Sequence, residues 1–206
     1  MTMALVQDPL NIIICGVGGQ GNILASELLA SALVDKGYFT TVGETYGASQ
    51  RGGAVMSHVR VSERRQYGAL IPQGAAHILV GFEPIETLRV ARKYGSKRTR
   101  VILDSRPNFP LAVLAGDIEY PLYEAVTREL EYLCASVLTI DAIERAKEAG
   151  RAQAANILMM GALTALPEMP LQAEDYEQVL RKRFQAEVYE LNRKVFNQGY
   201  ELINNA

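Results

Sequence analysis

The 206 residues are 49% apolar, 21% charged and 7% aromatic, the composition of an ordinary globular chain long enough to bury a sizeable core as one domain spanning 1–206. A net charge of −2 supplies no strong field for nucleic acid or an anionic membrane. The longest charge-free stretch, 9–26, holds Pro9 and four glycines, so it does not read as a bilayer span. No basic segment precedes the first apolar run, and no signal peptide is expected, which points to a cytoplasmic protein.

The predicted elements alternate. Residues 10–15 are a short apolar run stopped by glycines, the pattern of a strand buried on both faces. Residues 22–36 place Ile23, Leu24, Leu28, Leu29, Ala32 and Leu33 at helical spacing, with Gly37 where the helix ends. A second strand is expected at 38–42, a polar glycine-containing loop at 43–53, and a third strand at 54–61. Alternation in the third strand puts Val55, Ser57, Val59 and Val61 on one face and Met56, His58 and Arg60 on the other. Strands follow at about 77–82, 100–104 and 136–140, separated by helices at 84–94, 122–133 and 141–149. Strands alternating with helices imply an α/β fold in three layers, a mostly parallel sheet with helices on both faces. An apolar helix at 152–166 and two more at about 173–183 and 185–201 form a C-terminal helical extension packed onto that domain.

The strongest local signal is Gly16-Val17-Gly18-Gly19-Gln20-Gly21, a Rossmann-like G-x-G-x-x-G between a predicted strand and a predicted helix. A phosphate needs a tight turn, close backbone approach and helix amides aimed at negative charge, and glycine serves all three. The same glycines also suit a tight turn with no ligand. Glu44 follows Gly21 by 23 residues, roughly where a ribose-binding acid sits in nicotinamide enzymes, although a solvated loop carboxylate fits equally. Gly47-Ala48-Ser49-Gln50-Arg51-Gly52-Gly53 presents a guanidinium on a close-approaching backbone, suited to phosphate, carboxylate or a partner subunit.

Nucleophilic and metal chemistry lack support. Ser57 and His58 point to opposite faces and cannot form a nucleophile–base pair. Ser49 lacks a G-x-S-x-G context, and no paired carboxylates or metal-ligand spacing stand out. Cys15 and Cys134 are 119 residues apart, read as two buried reduced thiols, and cannot ligate an iron-sulfur cluster alone.

Taken together, Gly16–Gly21 followed by Ala25-Ser26, and Gly43-Glu44-Thr45-Tyr46-Gly47-Ala48-Ser49-Gln50-Arg51-Gly52-Gly53-Ala54, resemble the gamma-type subunit of 2-oxoacid:ferredoxin oxidoreductases. Leu70–Ala76, Phe82-Glu83-Pro84-Ile85-Glu86-Thr87-Leu88-Arg89, Tyr120-Pro121 and the apolar helix from Asn156 to Leu166 are similar to the indolepyruvate type, so the resemblance covers about 11–166. The chain departs at Tyr46-Gly47-Ala48, where many relatives carry His-Gly-Met, which leaves an aryl or an aliphatic 2-oxoacid open as substrate. The resemblance implies oxidative decarboxylation of a 2-oxoacid to an acyl-CoA with reduction of ferredoxin. It implies an alpha subunit that carries thiamine diphosphate and the iron-sulfur clusters, so that this chain binds neither alone and supplies no catalytic residue. The phosphates of CoA are then the expected contact of the Gly16–Gly21 loop and Arg51, within a cofactor-binding set of Gly16, Gly18, Gly19, Gln20, Gly21, Glu44, Gln50, Arg51, Gly52 and Gly53. A free-standing NAD- or flavin-binding oxidoreductase, or a nucleotide-binding regulatory module, is the alternative.

Overall fold

The computed structural model describes residues 4–46, 53–109, 111–117 and 119–205. Its strands are β1 (Leu10–Val17), β2 (Phe39–Tyr46), β3 (Ala54–Ser62), β4 (Ile78–Gly81), β5 (Arg100–Asp104) and β6 (Ser136–Ile140). Its helices are α1 (Asn22–Asp35), α2 (Pro84–Tyr94), the short α3 (Leu111–Leu114), α4 (Tyr123–Leu133), α5 (Ala142–Glu148), α6 (Ala155–Thr164), α7 (Ala173–Arg183) and α8 (Ala186–Asn204). The strands form one sheet in the order β2-β3-β1-β4-β5-β6. β1, β4, β5 and β6 pair in parallel, while β3 runs antiparallel to both β1 and β2. Five strands therefore share one direction, and their C-terminal ends share one edge.

Helices cover both faces because alternate residues of the central strands are apolar on both sides. Ile12 and Ile14 pack with α1, α5, α6, α7 and α8, whereas Ile13 and Cys15 pack with α2 and α4. The helices from 155 onward thus complete one apolar layer of the sheet. α7 is tied to the end of α1 by Lys36–Asp175 at 2.8 Å and Lys182–Asp35 at 2.7 Å. α8 crosses α6 in backbone contact, since a Cβ on Gly161 would lie 2.0 Å from the Phe196 carbonyl and one on Gly199 1.9 Å from that of Leu158.

The end of α1 follows the sequence expectation. Gly37 takes φ +99°, its amide donates to Val34 O, and the Tyr38 amide donates to Leu33 O, the paired bonds that close a helix on a left-handed residue. Other boundaries differ from expectation. β1 continues through Gly16 and Val17, because those residues pair with Val55 and Ala54 of β3. Residues 43–46 are strand, not loop: Gly43 and Glu44 lie opposite His58 and Ser57. The helix expected from 152 begins with a 3₁₀ turn over Ala152–Ala154, and α3 was not anticipated. Among the described residues no helix is long and apolar enough to cross a membrane.

Candidate functional site

The glycine loop is fixed by its own side chain and by the strands beside it. Gln20 Oε1 accepts the Val17 amide at 2.7 Å and Gln20 Nε2 donates to the Phe82 carbonyl at 2.7 Å, so the carboxamide links the C-terminal ends of β1 and β4. The Gly18 amide donates to Gly53 O at 2.8 Å, which ties the loop to the start of β3. Gly19 and Gly21 have φ of +105° and +81°, conformations that favour glycine. Gly21 caps α1 without a side-chain hydrogen bond, so the first-turn amides have no helical acceptor and form the positive end of the helix dipole. Asn156, at the start of α6, donates to Gly21 O at 3.3 Å, and a Cβ on Gly21 would meet Asn156 Nδ2 at 2.4 Å. The third glycine of the motif is therefore required both by its turn and by the helix that crosses it.

Beside this loop lies a cleft of about 590 Å³ walled by Gly19, Gln20 and Gly21 on one side and by Asp104, Arg106, Lys147 and Asn156 on others. It opens at the C-terminal ends of parallel strands, the edge at which ligands of open α/β sheets collect. Arg106 and Lys147 both pair with Glu144, Lys147 at 2.7 Å. Asp104 is only 2% exposed, and its Oδ1 accepts the amides of Arg106 and Ala142, each at 3.3 Å. Burial pushes its carboxyl up to about 6; the two backbone hydrogen bonds oppose the shift, nearby Asp141 adds to it, and Arg106 opposes it weakly.

The structure brings together part of the set expected from sequence. Gly19, Gln20 and Gly21 line the cleft. Gly16 lies within β1, where a Cβ would meet Gln20 Oε1 at 2.6 Å and Phe82 Cβ at 3.0 Å. Glu44 is not a cleft residue: its two carboxylate oxygens accept from Ser26 Oγ at 2.8 Å and Ser57 Oγ at 2.6 Å, both serines being fully buried. Gly53 is held against Gly18, while Gln50, Arg51 and Gly52 lie outside the described residues. Tyr46 of β2 and Gly16 of β1 both pair with Val55 of β3. β2 therefore ends and β3 begins at the same sheet edge as the glycine loop.

Sequence reasoning missed the opposite wall, namely Asp104, Arg106 and Lys147, and it noted Asn156 only as part of an apolar helix. The usable signal was position: Asp104 ends a parallel strand, and residues just beyond such ends meet at one edge. His58 faces away from Ser57, as expected. Its Nδ1 accepts the Ile71 amide at 3.3 Å, its ring meets the edge of Tyr94, and burial, with Lys93 and Arg60 nearby, keeps its pKa below the ordinary value. Both cysteines are free and buried, and Cys15 donates to Thr87 Oγ1 at 3.9 Å. The motifs Phe82–Arg89 and Tyr120-Pro121 converge. Tyr120 donates to Glu83 Oε1 at 2.5 Å while Glu83 Oε2 accepts the Glu86 amide at 2.8 Å as the cap of α2. Glu83 is fully buried, and burial raises its pKa. This pair pins the connection between β5 and α4, which carries Arg106 into the cleft wall, to the end of β4.

The pyruvate ferredoxin/flavodoxin oxidoreductase family matches residues 11–202. The chain is 37% identical over 191 residues to indolepyruvate oxidoreductase subunit IorB of Archaeoglobus fulgidus, covering 93% of this chain and 94% of that one. It is 39% identical over 190 residues to the IorB subunit of Pyrococcus horikoshii, covering 92% and 93%. Among solved structures, the gamma subunit of a keto/oxoacid ferredoxin oxidoreductase from Geobacter sulfurreducens superposes with a TM-score of 0.69 at 25% identity, over 95% of this chain and 99% of that one. The 2-oxoglutarate:ferredoxin oxidoreductase of Magnetococcus marinus shares the fold, with a TM-score of 0.75 at 20% identity over 97% of this chain and 32% of that one. Sequence and fold agree across nearly the whole chain: it belongs to the pyruvate ferredoxin/flavodoxin oxidoreductase family and is a subunit of an oxidoreductase of that family.

Proposed function

We propose that this chain is the subunit of an indolepyruvate-type 2-oxoacid:ferredoxin oxidoreductase that holds CoA, working in the cytoplasm beside an alpha subunit. The observation that carries the substrate class is near-full-length identity of 37% and 39% to proteins named as indolepyruvate oxidoreductase subunits. The reaction takes an aryl 2-oxoacid and CoA to acyl-CoA and carbon dioxide, passing two electrons to ferredoxin. Thiamine diphosphate and the iron-sulfur clusters belong to the alpha subunit in this reading, because two cysteines are fewer than the four that a cluster uses.

The cleft supplies what a polyphosphate ligand needs. The α1 amides and the positive-φ glycines allow close approach of phosphate oxygens to backbone. Arg106 and Lys147 add cations on the facing wall, and Arg51 enters the same reading through its sequence motif. The bound thiol would then be presented to the partner subunit.

The test is steady-state kinetics of the assembled enzyme. Lys147 is about half exposed and already paired with Glu144, so removing it should weaken CoA less than a fully buried charge-assisted bond, by about 5- to 20-fold in KM. Lys147→Ala and Arg51→Ala should each do this while leaving the KM for indolepyruvate unchanged. An unchanged KM for CoA in both variants removes CoA from this cleft. A higher kcat/KM with pyruvate or 2-oxoglutarate than with indolepyruvate refutes the substrate class.

A further inference from the structure

Asp104 is out of place in a cleft built for an anion. It is 2% exposed, and among the described residues the only hydrogen bonds on its carboxylate come from two backbone amides at 3.3 Å, both on Oδ1. The guanidinium two residues on is engaged by Glu144. A buried carboxylate without a cation of its own is poorly compensated in its ionised form. The charged groups around it are Arg106 from its own connection and Asp141, Glu144 and Lys147 from the start and body of α5. With Asp104 ionised, Arg106 and Lys147 face three carboxylates, those of Asp104, Asp141 and Glu144. With Asp104 neutral, the cleft gains one positive charge.

We propose that Asp104 is a proton-linked positioning residue: an anionic ligand enters the cleft together with one proton that settles on the Asp104 carboxyl. The inference rests on the reading of the cleft as the CoA site. It adds that the protein, and not the solvent, supplies the change in charge that lets phosphate oxygens approach. The neutral acid keeps an oxygen that accepts the Arg106 and Ala142 amides, so the wall formed by α5 stays in place while the repulsion disappears. The raised carboxyl, titrating at about 6 before ligand arrives, puts the proton within reach near neutrality, and a bound anion raises it further. The sign follows from linkage. Binding takes up protons, so CoA affinity is highest below pH 6 and falls as pH rises, by up to about tenfold per pH unit until the carboxyl of the complex itself ionises.

The experiment is calorimetric titration of CoA into the assembled enzyme at pH 7 in two buffers of different ionisation enthalpy, with Asp104→Asn beside the unsubstituted enzyme. Asparagine keeps an acceptor for both amides and cannot ionise. The 3′-phosphate of CoA titrates alike against both proteins and cancels in the difference. The expected result is an uptake greater by about half a proton or more per CoA in the unsubstituted enzyme, and a pH profile of Kd that Asp104→Asn flattens. Asp141→Asn, which keeps a good cap on α5, should preserve the uptake and so separates Asp104 from its acidic neighbour. Equal uptake by the Asp104→Asn and unsubstituted enzymes overturns the proposal while leaving the CoA site standing. An unchanged KM for CoA in both Lys147→Ala and Arg51→Ala overturns the site reading, and the coupling with it.

Discussion

Glu44 separates two accounts of the same sequence, and the structure lets the cost of removing it be worked out. Its spacing from Gly21 suits an acid that binds a nucleotide ribose, but the fold places it between Ser26 of α1 and Ser57 of β3, with both of its carboxylate oxygens accepting hydroxyl protons. Glu44→Ala does not strand both serines equally. The Ser26 hydroxyl also lies 2.9 Å from Ile23 O and can donate there, so its loss is about 0.5–1 kcal/mol, whereas buried Ser57 loses a charge-assisted bond worth about 1.5–3 kcal/mol. The sum, about 2–4 kcal/mol, corresponds to a fall in Tm of about 5–15 °C for a domain of this size. Ser57→Ala should approach that loss and Ser26→Ala should cost less than about 1 kcal/mol. Thermal unfolding followed by circular dichroism gives the stability terms, and a double-mutant cycle should find coupling of Glu44 mainly to Ser57. The KM for CoA, measured on the assembled enzyme below the transition, should stay within about twofold of its original value. A near-normal Tm combined with a tenfold weaker CoA would refute the clamp and restore Glu44 as a ligand side chain.

Gly161→Ala and Gly199→Ala should each lower Tm by more than about 10 °C or abolish soluble expression, because the added Cβ meets backbone and not a movable side chain; a shift of only a few degrees would mean that α6 and α8 separate easily. His58 should titrate below the ordinary histidine range in the folded chain, because burial and the nearby Lys93 and Arg60 disfavour its charged form. Because its folded pKa lies below the ordinary 6.5, stability that is full above pH 6.5 is lost as pH falls below it, and ¹⁵N spectra giving a folded-state pKa at or above 6.5 would contradict the burial argument. The purified chain without its partner should show no turnover of indolepyruvate with CoA and an electron acceptor, and measurable activity from it alone would relocate the chemistry to this subunit.

Periodicity disclosed the layers because it reports burial directly. Ile12 and Ile14 serve one apolar layer and Ile13 and Cys15 the other, and a run with no polar alternation has no other explanation in a short strand. Residues 43–46 were misread as loop because glycine and glutamate are poor strand formers in isolation. Their fitness depends on distant groups: a Cβ on Gly43 would lie 2.9 Å from the Ala69 Cβ, and Glu44 is satisfied by serines on two other elements. The same distinction divides the site. Gly19 and Gly21 occupy backbone conformations that select glycine, so the requirement leaves a mark in the residue type itself. The facing wall requires only charge and hydrogen-bonding capacity, which an arginine, lysine, aspartate or asparagine can bring from any segment the topology delivers. Asn156 reaches Gly21 across 135 residues of sequence, and no local pattern around it states that destination. A backbone demand is therefore legible one residue at a time, while an electrostatic demand becomes legible only once the parallel strand ends have been placed on one edge and the residues following them compared.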